Sequence, residues 1–501
     1  MRALGEVAVN MSGDVQATLP ASRPSVFLSY ASEDRAAARA LRNTLAAAGL
    51  EVWLDEDELG GGEPWDTKLR NQIRTCTYFM PLISATTEVR REGYFRREWR
   101  LVALILFAGL LLRAAAAPPL PIVTLPVPSA PGAMGSSLAL GPDGAAYLSW
   151  LEPTGGENWA MKFSRFDAAH LTWGETRAIA QGADFFVNWA DFPVLAVQAD
   201  RLTAVWFVNN PAHHAAPGHH GAGYRAVYRS SLDQGQTWSP ELPISDEFLP
   251  VEFVALQPLR DGRLLAAWLD GRAHNTGSDR QALYARVLGA PGPDMLVDDL
   301  VCDCCQLSFV PTTDGGALLA YRGRTKDEVR DMQLARYDGK SWSAPTTLNP
   351  DGWKIAGCPV NGPKLAECGD LIGAVWFTAA DNQARVLARV SDNAGDSFSP
   401  VVRVDLGRPQ GRVDSVMLPD GTLVMTWLEM SAQDHASPGG IYLRTLSLEG
   451  KLSKPQMVAP SSTARMSGFP RMVLLGGRQL LLTDTVDSEP SRLRALLLDL
   501  K

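Results

Sequence analysis

The chain has 501 residues and a formal net charge of −8, from 47 Lys and Arg against 55 Asp and Glu. Its length exceeds the size at which one hydrophobic core stops growing, which predicts two or more domains. With 46% hydrophobic and 20% charged residues, the composition excludes a largely disordered chain, a collagen and a multi-span transporter, and the acidic balance disfavours nucleic acid as a partner.

The first part of the chain changes from an irregular stretch to alternating strands and helices. Residues 1–22 show no hydrophobic period and are expected to form a disordered tail. Strands are predicted at residues 26–28, 51–54 and 78–83, a first helix begins after residues 32–34 and ends at Gly49, and Pro64 opens a second helix. This alternation predicts a parallel sheet with helices on both faces.

Several motifs in this α/β stretch lie in a characteristic order. They are residues 26–34, residues 49–55, residues 59–62 with Trp65, Ser84, and residues 93–99. Together they resemble the Toll/interleukin-1 receptor (TIR) domains of bacteria. The resemblance implies a flavodoxin-like sheet, self-association or association with other TIR domains in signalling, and, in many members, cleavage of the nicotinamide–ribose bond of NAD.

The resemblance also assigns candidate residues for NAD, which would be a substrate and not a tightly bound cofactor. Glu98 occupies the position of the catalytic glutamate, whose carboxylate stabilises positive charge at the anomeric carbon. The cofactor-binding candidates are Tyr30, Ser32, Gly60, Trp65 and Tyr94. The alternative for Glu98 is a glutamate on a helix surface, paired with Arg96 or Arg97.

This TIR-like module, residues 23–100, is shorter than the family pattern. The helix predicted to carry Glu98 runs directly into the apolar residues 101–112, so the last two strands and helices of the family are missing. The third strand is therefore expected to be an open sheet edge. The alternative to an NAD-cleaving module is a remnant without activity, and this truncation favours that alternative.

Residues 101–117 are typical of an export signal or membrane anchor. Twelve apolar residues follow an arginine-rich flank and precede Arg113 and four alanines. As a helix they would span about 18 Å, which is less than a hydrocarbon core of about 30 Å but sufficient for a signal-peptide core. The pattern predicts a cytoplasmic N-terminal side with the remainder periplasmic, or secreted after cleavage; a buried helix is the alternative.

Residues 118–501 contain a sevenfold repeat in which a turn precedes an apolar strand, usually ending in an aromatic residue. The strands end at Trp150, Trp206, Trp268, Tyr321, Trp376, Trp427 and Thr483. Four short strands per repeat predict an all-β seven-bladed propeller. The last repeat lacks its outer strand, so residues 121–127 are expected to complete it by pairing with residues 491–498.

Two of the repeats contain a turn motif of the form Ser-x-Asp-x-Gly-x-x-Trp. Its residues are Ser231, Asp233, Gly235 and Trp238, and, with Asn for Asp and Phe for Trp, Ser391, Asn393, Gly395 and Phe398. They resemble the Asp box, or BNR repeat, of the sialidase family, in which these residues stabilise a hairpin and have no catalytic role. The Phe/Tyr-Arg-Ile-Pro motif of sialidases is absent from the sequence. Its nearest counterpart, residues 469–472, has the wrong order, so sialidase activity is not expected.

Polar residues and cysteines precede the first strands of several blades, and we expect these strand starts to meet at one end of the propeller axis. The pocket candidates there are Asn188, Asp191, Cys302, Cys304, Cys305, Cys358 and Asn361. Between one of the first three cysteines and Cys358 we expect a disulfide in preference to a metal site, and no metal is assigned. Strand capping is the alternative role of Asn188 and Asp191.

These observations leave two hypotheses of different kinds. The first is a membrane-linked TIR signalling protein, able to cleave NAD, whose extracytoplasmic propeller binds a glycan or a protein. The second is an exported propeller, a binding module or a glycoside-hydrolase-like protein, that follows a non-functional TIR remnant. Detection of nicotinamide release by the full chain would discriminate between them.

Overall fold

The computed structural model describes residues 9–10, 25–54, 75–85, 87, 120–209, 224–245, 251–273, 278, 280–430, 439–462, 464, 467 and 469–500. The chain divides into two units, Met1–Pro118 and Pro119–Lys501, and each is described by itself below.

The N-terminal unit contains a four-stranded sheet and one described α-helix. In chain order its elements are β1 (Val9–Asn10), β2 (Ser25–Ser29), a 3-10 turn (Ser32–Asp34), α1 (Arg35–Ala47), β3 (Glu51–Trp53) and β4 (Tyr78–Pro81). The sheet order is β1-β4-β2-β3, and β2 runs parallel to both β3 and β4. Gly49 ends the helical segment at a φ of 91°, which glycine adopts without strain. The predicted parallel α/β arrangement is confirmed for these elements.

The outer side of β4 is where the structure differs from the expectation. The third predicted strand was expected to be an open edge, and residues 1–22 were expected to be a tail. Instead, Val9 and Asn10 form β1, which pairs antiparallel with Tyr78 and Phe79. A short antiparallel strand thus occupies part of the edge that was expected to be open.

Other predicted elements of this unit lie outside the described residues. They are the helix opening at Pro64, the helix assigned to Glu98 and the apolar segment 101–117. Among the helices that the structure describes, none is both long and apolar enough to cross a membrane.

The C-terminal unit is a seven-bladed β-propeller, as the repeat predicts. Blade one consists of β6 (Met134–Leu140), β7 (Ala146–Gly155), β8 (Asn158–Asp167), β9 (Thr172–Trp173) and β10 (Arg177–Gly182). Blade two consists of β11 (Val194–Val197), β12 (Leu202–Asn209), β13 (Tyr224–Ser231) and β14 (Leu242–Pro243). Blade three consists of β15 (Val251–Pro258), β16 (Leu264–Asp270), β17 (Ala282–Val287) and β18 (Met295–Asp298).

The next three blades repeat this antiparallel order. Blade four consists of β19 (Ser308–Pro311), β20 (Ala317–Arg322), β21 (Met332–Tyr337) and β22 (Thr346–Thr347). Blade five consists of β23 (Lys364–Cys368), β24 (Leu371–Thr378), a 3-10 turn (Ala380–Asn382), β25 (Arg385–Ser391) and β26 (Val402–Arg403). Blade six consists of β27 (Pro409–Met417), β28 (Leu423–Glu429), β29 (Gly439–Leu446) and β30 (Gln456–Ser461).

Blade seven is assembled from both ends of this unit. It consists of β31 (Arg471–Leu475), β32 (Gln479–Val486), β33 (Arg492–Asp499) and β5 (Ile122–Leu125), which comes from the start of the unit. Strand β5 pairs antiparallel with residues 495–498 of β33. The predicted completion of the last blade by the N-terminal strand is therefore confirmed.

The aromatic residue that recurs in the second strand of six blades fills the space between neighbouring blades. Five tryptophans at these positions are at most 1% exposed: Trp150, Trp206, Trp268, Trp376 and Trp427. The indole N–H of Trp150 donates to Glu152 at 2.7 Å, and that of Trp268 donates to Asp270 at 2.8 Å. Each of these two tryptophans thus buries a large apolar ring while its one polar atom keeps a partner.

Ring closure gives the first testable prediction. Leu125 of β5 is 6% exposed and packs with Leu481 and Leu497 of blade seven, whereas Val123 of the same strand is 48% exposed. Leu125→Asp places an unpaired charge in this core, so we expect it to lower the free energy of unfolding by about 3 kcal/mol or more. Val123→Asp is the matched control and should change it by less than about 0.5 kcal/mol. Urea unfolding measures both, and equal effects would contradict the ring closure.

Candidate functional site

The first strands of the blades surround a cavity on the propeller axis. It has a volume of about 270 Å³ and is lined by residues from all seven blades. Its polar side chains include Asp191, Gln306, Ser308, Lys364, Asp414 and Arg471. Aromatic rings, among them Phe192 and Phe253, form part of the wall. Aromatic rings can pack on the apolar faces of a small ligand while the charged groups beside them bind its polar groups.

Two cations and one carboxylate converge in this axial cavity. The Lys364 ammonium lies 3.0 Å from Oδ1 of the buried Asp414, whose Oδ2 accepts a hydrogen bond from the Met472 amide at 2.6 Å. The Arg471 guanidinium stacks on Phe192 at 4.9 Å from the ring centroid. Within the described part of the chain, the Arg471 guanidinium donates no hydrogen bond. Its N–H groups are therefore available to an acceptor in the cavity.

Asp191, predicted as a pocket residue, belongs to a buried acidic cluster with Tyr224 and Glu252. The Tyr224 hydroxyl donates to Asp191 at 3.1 Å, and the Phe253 amide lies 3.0 Å from each carboxylate oxygen of Asp191. Burial raises the pKa of Asp191 to about 8, although these hydrogen bonds act in the opposite direction. Burial, reinforced by the negative charge of Asp191, also raises the pKa of Glu252 well above its usual value. The Asp191 carboxyl group is therefore mostly protonated at neutral pH.

The two predicted asparagines bind backbone groups at strand starts. Asn188 accepts a hydrogen bond from the Ala190 amide at 2.9 Å, which is the capping geometry. The Asn361 side chain accepts from the Arg412 amide at 2.8 Å and donates to the Gln410 carbonyl at 3.3 Å, so it connects blades five and six. These contacts position the loops around the axis.

The predicted cysteines do come together. The Cys302 sulfur lies 3.9 Å from that of Cys304 and 3.6 Å from that of Cys305, and the sulfurs of Cys304 and Cys358 are within 4.8 Å. All six cysteines of the chain lie in the described part, and none forms a disulfide there. The proximity of Cys358 to the first group is therefore as expected, whereas the expected disulfide is not formed.

The electrostatic surroundings differ among the clustered thiols. Burial alone would raise the pKa of Cys302. Hydrogen bonds from Cys304 and Cys305, together with the charges of Arg322 and Arg330, instead lower it well below the usual value. The pKa of Cys304 and of Cys305 is raised, for Cys304 by its hydrogen bonds with the other cysteines and for Cys305 chiefly by burial. Among the three buried thiols, the lowered pKa is therefore that of Cys302.

Four arginines close to strand ends bind protein groups and not the axial cavity. Arg272 pairs with Asp270 and Asp294, and Arg324 pairs with Glu328. Arg330 pairs with Asp303 and Glu328, whereas the buried Arg322 donates to main-chain carbonyls. None of the four is among the residues lining the axial cavity.

The two Asp-box turns have the hydrogen bonds of a tight hairpin. Asp233 accepts from the Ser231 hydroxyl at 2.8 Å and from the Thr237 amide at 2.9 Å, and Asn393 makes the equivalent bonds with Ser391 and Ser397. A Cβ at Gly235 would lie 2.3 Å from the Phe163 ring, and a Cβ at Gly395 would lie 2.8 Å from Leu318. Trp238 packs edge-on against Phe163 of blade one, and Phe398 packs against the core between blades four and five. Every one of these contacts is structural.

In the N-terminal unit, two of the six NAD candidates are described. Tyr30 is buried with Leu28, Ala38 and Leu54, and the Ser32 hydroxyl donates to Glu33 at 2.9 Å. Nearby, the Ser84 hydroxyl donates to Asp34 at 2.5 Å. Gly60, Trp65, Tyr94 and Glu98 lie outside the described residues.

Sequence reasoning missed several residues of the axial face. Tyr224, Glu252, Lys364 and Asp414 follow no motif, and Arg471 was noted only within the misordered residues 469–472. Local backbone geometry brings some of these groups to the axis: Phe253 and Arg412 have φ values of 51° and 55°, next to register shifts in β15 and β27. Such bulges redirect side chains. The sequence feature that could have identified some of these residues is a charged residue at the start of an apolar inner strand, as at Lys364.

Comparison with known proteins identifies the two units. Residues 26–108 match the TIR domain family, and residues 147–364 match the BNR repeat-like domain family. The N-terminal unit thus contains a TIR domain and the C-terminal unit is a BNR repeat-like propeller, in agreement with the motifs in the sequence. No curated protein matches the chain.

Several solved structures are similar to the propeller. A protein of unknown function from Dyadobacter fermentans is 15% identical, with a TM-score of 0.44, over 76% of this chain and 98% of that one. The NanB sialidase from Streptococcus pneumoniae is 11% identical, with a TM-score of 0.40, over 77% and 72%. A GH93 α-L-arabinofuranosidase of Fusarium graminearum is 13% identical, with a TM-score of 0.42, over 76% and 97%. These values support no statement about activity.

The raised pKa of Asp191 gives a pH prediction. Between about pH 4 and about pH 8 the folded chain holds a proton on Asp191 that the unfolded chain releases, so stability falls as pH rises through this window. Asp191→Asn removes this contribution, whose steepest slope is about 1.4 kcal/mol per pH unit. Denaturant unfolding at several pH values should therefore show a flatter profile for Asp191→Asn than for the exposed control Asp392→Asn. Identical profiles would contradict the proton on Asp191.

Proposed function

We propose that this chain, which joins a TIR domain to a BNR repeat-like propeller, is a signalling protein whose propeller binds a glycan in the axial cavity. The TIR domain would respond through self-association with other copies. The observation that carries the binding proposal is the Arg471 guanidinium, which faces the cavity over Phe192 and makes no hydrogen bond within the described part of the chain.

The charges of the cavity favour a ligand that carries an acidic group. Arg471 and Lys364 present two cations against the single carboxylate of Asp414, since the raised pKa of Asp191 keeps that group protonated at neutral pH. A carboxylate on the ligand would accept hydrogen bonds from Arg471, and an apolar sugar face would pack on Phe192 or Phe253. We therefore propose an acidic sugar as the recognised element.

The TIR half of the proposal rests on the family match and on the position of Glu98. In this proposal Glu98 stabilises the positive charge that develops on the ribose of NAD as nicotinamide departs. Residues 101–112 would anchor the chain in a membrane, with the TIR domain in the cytoplasm and the propeller on the other side. Ligand capture would then be reported across the membrane as TIR association.

The binding proposal is tested with Arg471→Met. We expect calorimetry against a panel of neutral and acid-terminated oligosaccharides to detect binding of an acidic member by the full chain. Loss of the charged hydrogen bonds should weaken that binding by about tenfold or more. Arg165→Met is the matched control, because Arg165 pairs with Asp143 on the surface and lies outside the cavity. Unchanged affinity in Arg471→Met would contradict the assigned site.

The catalytic proposal is tested by nicotinamide release. The full chain incubated with NAD should release nicotinamide, and Glu98→Gln should abolish the release because it removes the negative charge while keeping the size of the side chain. Asp55→Asn, in the turn after the second parallel strand, should reduce it less. Equal rates in Glu98→Gln and the parent would exclude Glu98. No release by the parent, even when it is clustered on a scaffold, would favour the remnant hypothesis.

A further inference from the structure

The cysteine cluster at the start of blades four and five has the composition of a metal site. Cys302, Cys304 and Cys305 lie in the segment before β19, and Cys358 lies in the segment before β23. The first three are at most 8% exposed, and Cys358 lies at the surface. Three buried thiols thus meet, and a fourth lies beside Cys304 at the solvent boundary, which leaves a path for an ion to enter.

Two of the sulfur separations match tetrahedral coordination. Zinc–sulfur bonds of about 2.3 Å at tetrahedral angles place neighbouring sulfurs about 3.8 Å apart. The Cys302 sulfur lies 3.9 Å from that of Cys304 and 3.6 Å from that of Cys305. The Cys358 sulfur is within 4.8 Å of the Cys304 sulfur but farther from those of Cys302 and Cys305, so the exposed Cys358 side chain has to move toward the cluster to fill the fourth position.

Two arginines supply the charge that such a site needs. Four thiolates around one divalent cation leave a net charge of −2. The Arg330 guanidinium lies 3.3 Å from the Cys302 sulfur, as a donor. The Arg322 guanidinium is also close enough to interact electrostatically with Cys302 and Cys305. Arg322 is 2% exposed, and its hydrogen bonds go to the carbonyls of Asn361, Arg330 and Phe377. A buried cation bonded to neutral groups requires an anion nearby, and the thiolates provide one.

A single disulfide accounts for this arrangement less well. It would use two of the four thiols and leave two beside the guanidinium groups. We propose that Cys302, Cys304, Cys305 and Cys358 bind one zinc(II) ion, which joins the starts of blades four and five at the axial face. Binding forms four zinc–sulfur bonds and releases to solvent the protons of those thiols that carry one, and no electrons are transferred.

The position of the site indicates what zinc does there. Gln306, next to Cys305, donates to the Ala190 carbonyl at 2.9 Å and accepts from the Gly362 amide at 3.1 Å, and it lines the axial cavity. The ion therefore holds the segment that carries Gln306 between blades two and five. All four coordination positions are filled by the protein, as in structural zinc sites and unlike catalytic ones.

The test uses the full chain, purified under reducing conditions and equilibrated with zinc(II) before removal of the excess. Elemental analysis should find one zinc per chain, and Cys304→Ser should lose it. Cys368→Ser is the matched control and should retain it, because Cys368 lies in β23 away from the cluster. If Cys304→Ser fails to fold, the exposed Cys358→Ser replaces it and should weaken zinc retention against a competing chelator by at least tenfold.

Two further measurements test the zinc site, the absorption spectrum with cobalt(II) and the Tm after chelation. Cobalt(II) in place of zinc should show thiolate-to-cobalt charge-transfer absorption, which weakens in Cys358→Ser and is unchanged in Cys368→Ser. Chelation should lower the Tm of the parent chain. The proposal is overturned if the parent chain binds no zinc while its cysteines react with maleimide. It is also overturned if the four cysteines are recovered as disulfides in the presence of zinc, or if the purified chain holds copper(I) in place of zinc.

Discussion

The antiparallel pairing of β5 with β33 is the interaction on which the rest of the propeller depends. Strand β5 precedes the first blade, and β33 belongs to the last one. Their pairing turns an open row of blades into a ring and covers the edge of the last sheet. Since each blade presents apolar residues to both neighbours, an open ring would expose two such faces at once. The convergence of seven strand starts on one axis requires this closure.

Closure has a cost at the axis, where polar groups from different blades are buried beside one another. The chain offsets this cost with hydrogen bonds that cross from one blade to the next. Asp191 before blade two accepts from the amide of Phe253 in blade three, and Asn361 before blade five accepts from the amide of Arg412 in blade six. Asp414 of blade six likewise accepts from the amide of Met472 in blade seven. The polar residues near the axis therefore serve first as connections between blades.

Arg471 and the four cysteines differ from the other polar residues near the axis in how their polar groups are satisfied. Asn188, Asn361 and the strand-end arginines are satisfied by protein partners, so their roles are structural. Arg471 faces the cavity with donors to spare, and the thiols of Cys302, Cys304 and Cys305 face one another beside two guanidinium groups. Unsatisfied donors and clustered soft ligands are the features that a bound molecule or ion would complete.

The sequence predicted the architecture well because the architecture rests on repetition. Seven turn-and-strand units, with a buried tryptophan in five of them, determine both the blade count and the missing outer strand. The pairing of β1 with β4 was missed because a two-residue strand has no period. The axial site was predicted only in part. The strand starts identified Asp191 and the cysteines, but Tyr224 and Glu252 reach the site through pairings and a bulge that no local pattern records. Arg471, like Lys364, begins an inner strand.

In the TIR domain, the described residues form a sheet core and one helix, and Glu98 lies outside them. The family match extends to residue 108 and includes most of the apolar segment 101–112. This overlap connects the two hypotheses: the same residues complete the TIR match and form the expected anchor.

The most direct test of ring closure is native-state hydrogen exchange on the full chain. If β5 closes the ring, the amides of β5 and β33 that bond to each other should exchange with the same free energy of opening as the amides of the central strands in blades three to five, because the ring opens as one unit. Amides of β5 that exchange as fast as those of an unstructured peptide, while blades three to five stay protected, would contradict the closed ring.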